Sequence, residues 1–169
     1  MTSELLDRAL IEEATKKSGL IWVRATGAPA ARALWHVWHE GAVCLVGGGP
    51  GEQPLEGLAD GGTAEVSVRS KDKGGRLVTF PVTVSEVAAG SPEWEAAVAE
   101  LKGKRLNAPD GEEMPARWAR ECRVLRLTPA GAVTPLPEGS LAEAPVPTPA
   151  TTRRPIPAGL PRLLAKRRK

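Results

Sequence analysis

The residues able to do chemistry gather in one stretch, RALWHVWHEGAVCLVGGG from Arg32 to Gly49, which holds both His, two of the five Trp and one of the two Cys. A histidine can pass a proton near neutral pH or ligate a metal. On an extended strand, however, His36 and His39 project to opposite faces and cannot share an ion. His36 falls between Trp35 and Trp38, where a hydrogen-bonded structural imidazole competes with a proton donor to a substrate. Cys44 and Cys122 fit no metal-ligand spacing and are expected as reduced thiols. Gly47, Gly48 and Gly49, with Pro50 and Gly51, offer backbone N–H groups that can cradle an anion. The run neither begins a G-x-G-x-x-G fingerprint nor ends in Lys-Ser/Thr, so a simple connection is the competing reading. No carboxylate pair, Ser-His-Asp order or Cys-His couple is evident, which disfavours hydrolysis. Any chemistry would have to be carried by a bound cofactor that the protein orients.

Positioning these groups requires strands. LIWVR from Leu20 reads as a first strand. Arg32–His39 reads as a second, with Ala33, Trp35, Val37 and His39 on one face and Leu34, His36 and Trp38 on the other. Glu40-Gly41 is a hairpin turn, and Ala42–Gly47 a third strand. The Gly/Pro-rich GGGPGEQPLEGLADGG reads as a loop with at most a short turn near Leu55 to Leu58. Thr63–Ser70 alternates Ala64, Val66 and Val68 against Glu65, Ser67 and Arg69, KDKGG turns the chain, and Arg76–Val87 is a long fifth strand. Its Pro81 cannot donate to a ladder and marks an edge, a bulge or a bend. A sixth strand is expected over Cys122–Leu127. Three helical segments flank them: Ser3–Lys17, with Leu6, Ala9, Leu10 and Ala14 near one face; a helix begun by Ser91-Pro92-Glu93, running to about Leu101 and burying Trp94 and Val98; and a short turn at Met114–Arg120.

Composition divides the chain in two. Residues 1–143 carry sixteen basic and twenty acidic side chains, net −4, whereas seven basic residues and no acid lie from Ala144 onward, so the pI near 9.1 belongs to the tail. Nine of the sixteen prolines fall from Pro129 onward. The composition therefore predicts one domain over 1–129 and a disordered or loosely docked Pro/Ala-rich basic tail over 130–169. No signal-like leader and no apolar run of roughly 20 residues occurs, which predicts a soluble, cytoplasmic protein.

Six antiparallel strands with flanking helices, an α+β arrangement, suggest a small closed or half-open barrel. In that order, ALWHVWHEGAVCLVGG, GTAEVSVRSKDKGGRLVTFPVTVSEV, SPEWEAAVAELKGKR and ECRVLRLTP resemble successive segments of the FMN-binding split-barrel superfamily, which includes pyridoxamine 5'-phosphate oxidase and deazaflavin-dependent relatives. The resemblance spans about Leu5 to Pro129. It implies a homodimer holding FMN, or a deazaflavin, in a groove between protomers, and hydride transfer between the reduced cofactor and a small organic acceptor. Members of that group commonly place Ser or Thr and a Lys or Arg near the phosphate after the third strand. Here GGGPGEQPLEGL stands there, and no basic residue occurs between Glu40 and Arg69. The residues expected at the cofactor are accordingly Trp35, His36, Gly47, Gly48 and Gly49, with Arg69, Ser70 and Lys71 as the nearest polar candidates for the phosphate. The missing cation also admits a second reading, a split barrel without cofactor that acts as a binding or scaffolding module. Its tail, through Arg153, Arg154, Arg162, Lys166, Arg167, Arg168 and Lys169, would contact nucleic acid or an anionic membrane.

Overall fold

Wherever apolar residues alternate with period two, the chain forms a strand. The computed structural model describes residues 3–71 and 75–135. In it β1 (Leu20–Ala25), β5 (Thr63–Arg69), β6 (Arg76–Val87), β7 (Arg123–Pro129) and β4 (Ala42–Gly47) form a curled antiparallel sheet, closed off by β2 (Arg32–Trp35) at one edge and β3 (Val37–His39) at the other. The count is seven strands, not six, because the stretch Arg32–His39 is two strands. Its first half pairs with β1, Leu20 opposite Trp35, and its second half with β4, Val37 opposite Cys44. One continuous stretch of alternating residues thus bridges the two edges of the sheet, and the break falls at His36. There the N–H and carbonyl of Trp35 are hydrogen-bonded by a side chain. The Gln53 amide accepts from Trp35 N–H at 2.9 Å and donates to the Trp35 carbonyl at 2.9 Å and the Val46 carbonyl at 3.1 Å.

The barrel interior is filled by residues such as Ile21, Leu34, Leu45, Val66, Phe80 and Leu125. A second cluster lies outside the barrel wall, where Val37, Cys44, Val46 and Val124 meet α2 (Pro92–Lys104) and α3 (Met114–Glu121) through Trp94, Leu101, Met114 and Trp118. All six residues of β4 are buried, which is why AVCLVG reads as an unbroken apolar run. The β3–β4 turn has Glu40 at φ 46° and Gly41 at φ 77°, the left-handed pair that a two-residue hairpin with right-twisted strands requires. Arg126 on β7 donates to the carbonyls of His39 and Glu40 and secures that turn.

The helix α2 begins as its residues dictate, with Ser91 Oγ accepting from Trp94 N–H at 3.1 Å and Pro92 at the first position. The helix α1 (Ser3–Lys17) forms over its predicted span but turns a different face inward. Ile11 and Thr15 are buried, whereas Leu6 and Leu10 are 52% and 46% exposed. The inward stripe is Asp7, Ile11 and Thr15, spaced i, i+4, i+8, with Ile11 packed into the barrel core. Asp7 accepts from Val133 N–H at 3.2 Å, and the Thr15 carbonyl accepts from His36.

Pro81 sits in a central strand without cost. Its position faces β7 just where that ladder begins, at Val82 opposite Pro129, and its carbonyl accepts from Ala130 N–H at 3.0 Å. Beyond Pro129 the chain stays hydrogen-bonded to β6 as far as Thr134, whose N–H donates to the Thr79 carbonyl at 2.7 Å. The basic side chains from Arg153 to Lys169 lie outside the described residues.

Candidate functional site

The break between β2 and β3 opens a cavity. Its walls are the α1–β1 turn (Ser18, Gly19, Leu20), the break itself (Trp35, His36) and the end of α2 with the residues after it (Gly103, Lys104, Arg105, Leu106), enclosing about 510 Å³. That lies within the range of roughly 300–1,000 Å³ usual for small-molecule sites. Trp35 is held from behind by Trp118, with ring centroids 6.4 Å apart and planes tilted by 38°. Leu20 and Leu106 present exposed apolar surface at the rim.

His36 is 5% exposed. Its Nε2–H donates to the Thr15 carbonyl at 3.0 Å, which leaves Nδ1 as a lone-pair acceptor with no partner among the described residues. Burial pushes the His36 pKa down. The Thr15 carbonyl works in the opposite direction, and the nearby Lys104 charge lowers it again. The imidazole is therefore neutral at pH 7, with its one proton committed to Thr15.

The second wall is held by a buried carboxylate. Glu52, whose side chain is 1% exposed, accepts from Arg105 Nε at 3.0 Å, from Arg117 at 3.0 Å and from Trp118 Nε1 at 3.2 Å. Arg117 is bound on its other side by Asp110. Burial alone would raise the Glu52 pKa, but the hydrogen bonds from Trp118, Arg117 and Arg105 outweigh it and hold the carboxyl below the usual range. The loop after β4 can fold down to deliver Glu52 and Gln53 only because glycine precedes them. A Cβ on Gly47 would lie 2.2 Å from the Gln53 carbonyl oxygen, and one on Gly49 would lie 2.6 Å from Cys122 Sγ and 2.7 Å from the Glu121 carbonyl oxygen. The Gly48 N–H is already donated to the Gln53 carbonyl at 2.9 Å.

Of the residues predicted from the sequence, Trp35 and His36 line the cavity. Gly47, Gly48 and Gly49 form the supporting loop. Arg69 ends β5, and Ser70 and Lys71 follow it, at the same end of the sheet, because Leu20 faces Trp35 and Trp22 faces Ser67, but they do not line the cavity. The Arg69 guanidinium stacks over the Trp22 ring at 4.5 Å. Sequence reasoning missed Lys104, Arg105 and Glu52. The cluster KGKR at the end of α2, and Glu52 as an acid inside a glycine run, were the available signals. Among the described residues no group of three or more His, Cys, Asp or Glu is placed to hold a metal ion, and no helix is long and apolar enough to cross a membrane.

The curled antiparallel sheet, bridged at His36 and flanked by α1, α2 and α3, is a split barrel. Among solved structures, the chain is similar to HutZ, the haem storage protein from Vibrio cholerae, with a TM-score of 0.54 and 16% identity over 73% of this chain and 90% of that one. It is similar also to a conserved hypothetical protein from Mycobacterium tuberculosis, with a TM-score of 0.54 and 14% identity over 85% and 94% of the two chains. Identities this low establish the fold alone. No protein-family model matches the sequence, and no curated protein matches it.

Proposed function

We propose that this chain binds a flavin-type cofactor, FMN or a deazaflavin, in the cavity at Trp35 and His36, and acts as an oxidoreductase toward a small organic acceptor. The observation that carries this reading is the composition of the cavity. One aromatic ring and two exposed leucines line it, beside an unpaired imidazole nitrogen and the cations Lys104 and Arg105. A planar ring needs apolar walls, and a phosphate of roughly two negative charges needs a cation, so the residues present fit such a group. When bound, the cofactor supplies the hydride. Trp35, Leu20 and Leu106 would exclude water from its ring. With its only proton donated to Thr15, His36 has no proton to give to a ligand.

The reading includes a cytoplasmic homodimer, with a second copy of the chain set against the outer face of β1 and β5, where Trp22 is half-buried and Leu20 exposed. The cofactor-free alternative, a binding or scaffolding module with a basic tail, draws support from the loop after β4. It carries the anionic Glu52 where a cation would serve a phosphate, and its Gly48 N–H is already used. The absorption spectrum of the purified full chain, followed by titration with FMN, reduced deazaflavin and haem, separates the two; haem is included because the similar HutZ stores it. Binding of FMN or deazaflavin with a perturbed flavin spectrum is expected. A colourless protein that takes up neither would remove the enzyme reading, and uptake of haem alone would replace it.

A further inference from the structure

We propose that Lys104, at the end of α2, is the cation that holds the anionic group of the ligand, and that the ligand is a phosphorylated planar heteroaromatic. This rests on the cofactor reading above and deepens it, because the sequence from Glu40 to Arg69 contains no cation to do that work.

Two cations reach the cavity, and they are not equivalent. The Arg105 guanidinium is spent: Nε donates to Glu52 at 3.0 Å, one terminal nitrogen donates to the Leu106 carbonyl, and the other reaches the Gly51 carbonyl at 3.4 Å. It is a strut between α2 and the loop after β4. Lys104 is exposed and makes no ion pair or hydrogen bond among the described residues. Its neighbour Lys102, by contrast, is paired with Glu112. Lys104 and His36 both line this cavity, so the ammonium and the buried ring belong to one site.

The other end of the ligand meets His36. His36, 5% exposed, forms part of the cavity wall, against which the ring of the ligand would pack beside Trp35. The helix dipole puts partial negative charge at the end of α2, which opposes an anion held directly on the helix terminus. The anion is therefore held out at the Lys104 Nζ, and its attraction is strongly screened by salt. Arg69, the cation nearest in the strand register, stacks on Trp22 outside the cavity.

Comparison of FMN with riboflavin, which lacks the phosphate, isolates this contact. Calorimetric titration of the full chain at low salt is expected to show at least about tenfold tighter binding of FMN, with the preference shrinking in 0.5 M salt. Lys104→Gln removes most of that preference while leaving riboflavin affinity unchanged, Lys104→Arg restores it, and Arg69→Gln leaves it intact. The side chain is exposed, so neither Lys104 variant disturbs folding, which far-UV circular dichroism checks. A preference that survives Lys104→Gln, or that Arg69→Gln abolishes, overturns the assignment while the cofactor reading stands. If the wild-type chain binds neither flavin, both fail together.

Discussion

Replacing Glu52 by Gln tests what holds the cavity in shape. The amide keeps one acceptor for Trp118 Nε1 and Arg117, but it turns an N–H donor toward Arg105 Nε, where the carboxylate oxygen now accepts at 3.0 Å. Breaking a fully buried ion pair from one side costs about 3–5 kcal/mol. Two features reduce that figure here. Arg117 retains Asp110, and the Arg105 side chain, 20% exposed, can turn to water. Loss of one charge-assisted hydrogen bond together with partial desolvation gives about 2–3 kcal/mol. For a folded body of this size that corresponds to a fall in Tm of roughly 6–12 °C. Urea unfolding followed by tryptophan fluorescence reads it as a lower midpoint with an unchanged slope. Glu12→Gln, which breaks an exposed i, i+4 pair with Lys16, is the control and should stay within about 0.5 kcal/mol of wild type. If the two variants unfolded at the same urea concentration, Glu52 would not be what pins the loop to α2 and α3.

Three further outcomes follow from the same geometry. His36 titrates below its ordinary value in the fold, so the unfolded chain takes up a proton that the folded one refuses; stability should be complete above about pH 6.5 and fall as the pH drops toward the folded value. Urea midpoints at pH 7.5 and 5.5 measure this slope, and an identical slope in His36→Phe would show that another group causes it. Glu52, held low by its partners, adds a loss at more acid pH, with its stability present above about pH 4.3 and lost as the pH falls through the depressed folded value; in Glu52→Gln that acid-range component should vanish. Gly49→Ala drives a methyl against Cys122 Sγ and the Glu121 carbonyl and should cost about 1–3 kcal/mol. Gly103→Ala meets nothing within 4 Å in a helical turn and should gain up to about 1 kcal/mol, so equal thermal midpoints for these two variants would contradict the packing described for the loop.

Local features were legible because local physics produces them. Period-two alternation marked β5 and β6, and short apolar runs marked β1 and β4, to within a residue, and the Ser91-Pro92 start of α2 follows from its orphan N–H groups. The identity of Trp35 and His36 as neighbours of interest followed from the same short stretch. The alternation of Arg32–His39 was equally correct and yet insufficient. Each half pairs with a different sheet edge, and only the curl of the whole sheet brings those edges within one residue of each other. The inward face of α1 was likewise undecided locally. The leucine stripe and the Asp7, Ile11, Thr15 stripe are offset by one position, about 100° of helix, and residues far along the chain, the barrel core around Ile11 and the Val133 N–H that Asp7 accepts, go with the inward stripe.

By itself, the sequence determined an antiparallel barrel of alternating strands, its turns and caps, and the absence of a cation in the loop after β4. Tertiary structure alone decided that Lys104 and Arg105, more than fifty residues beyond Glu52, stand at the cavity, and that Glu52 faces inward to bind Arg105 and Arg117. The reason is physical. Secondary structure depends on groups a few positions apart, whereas a site assembled from a helix end, a strand break and a glycine-rich loop exists only after long-range pairing has placed them together.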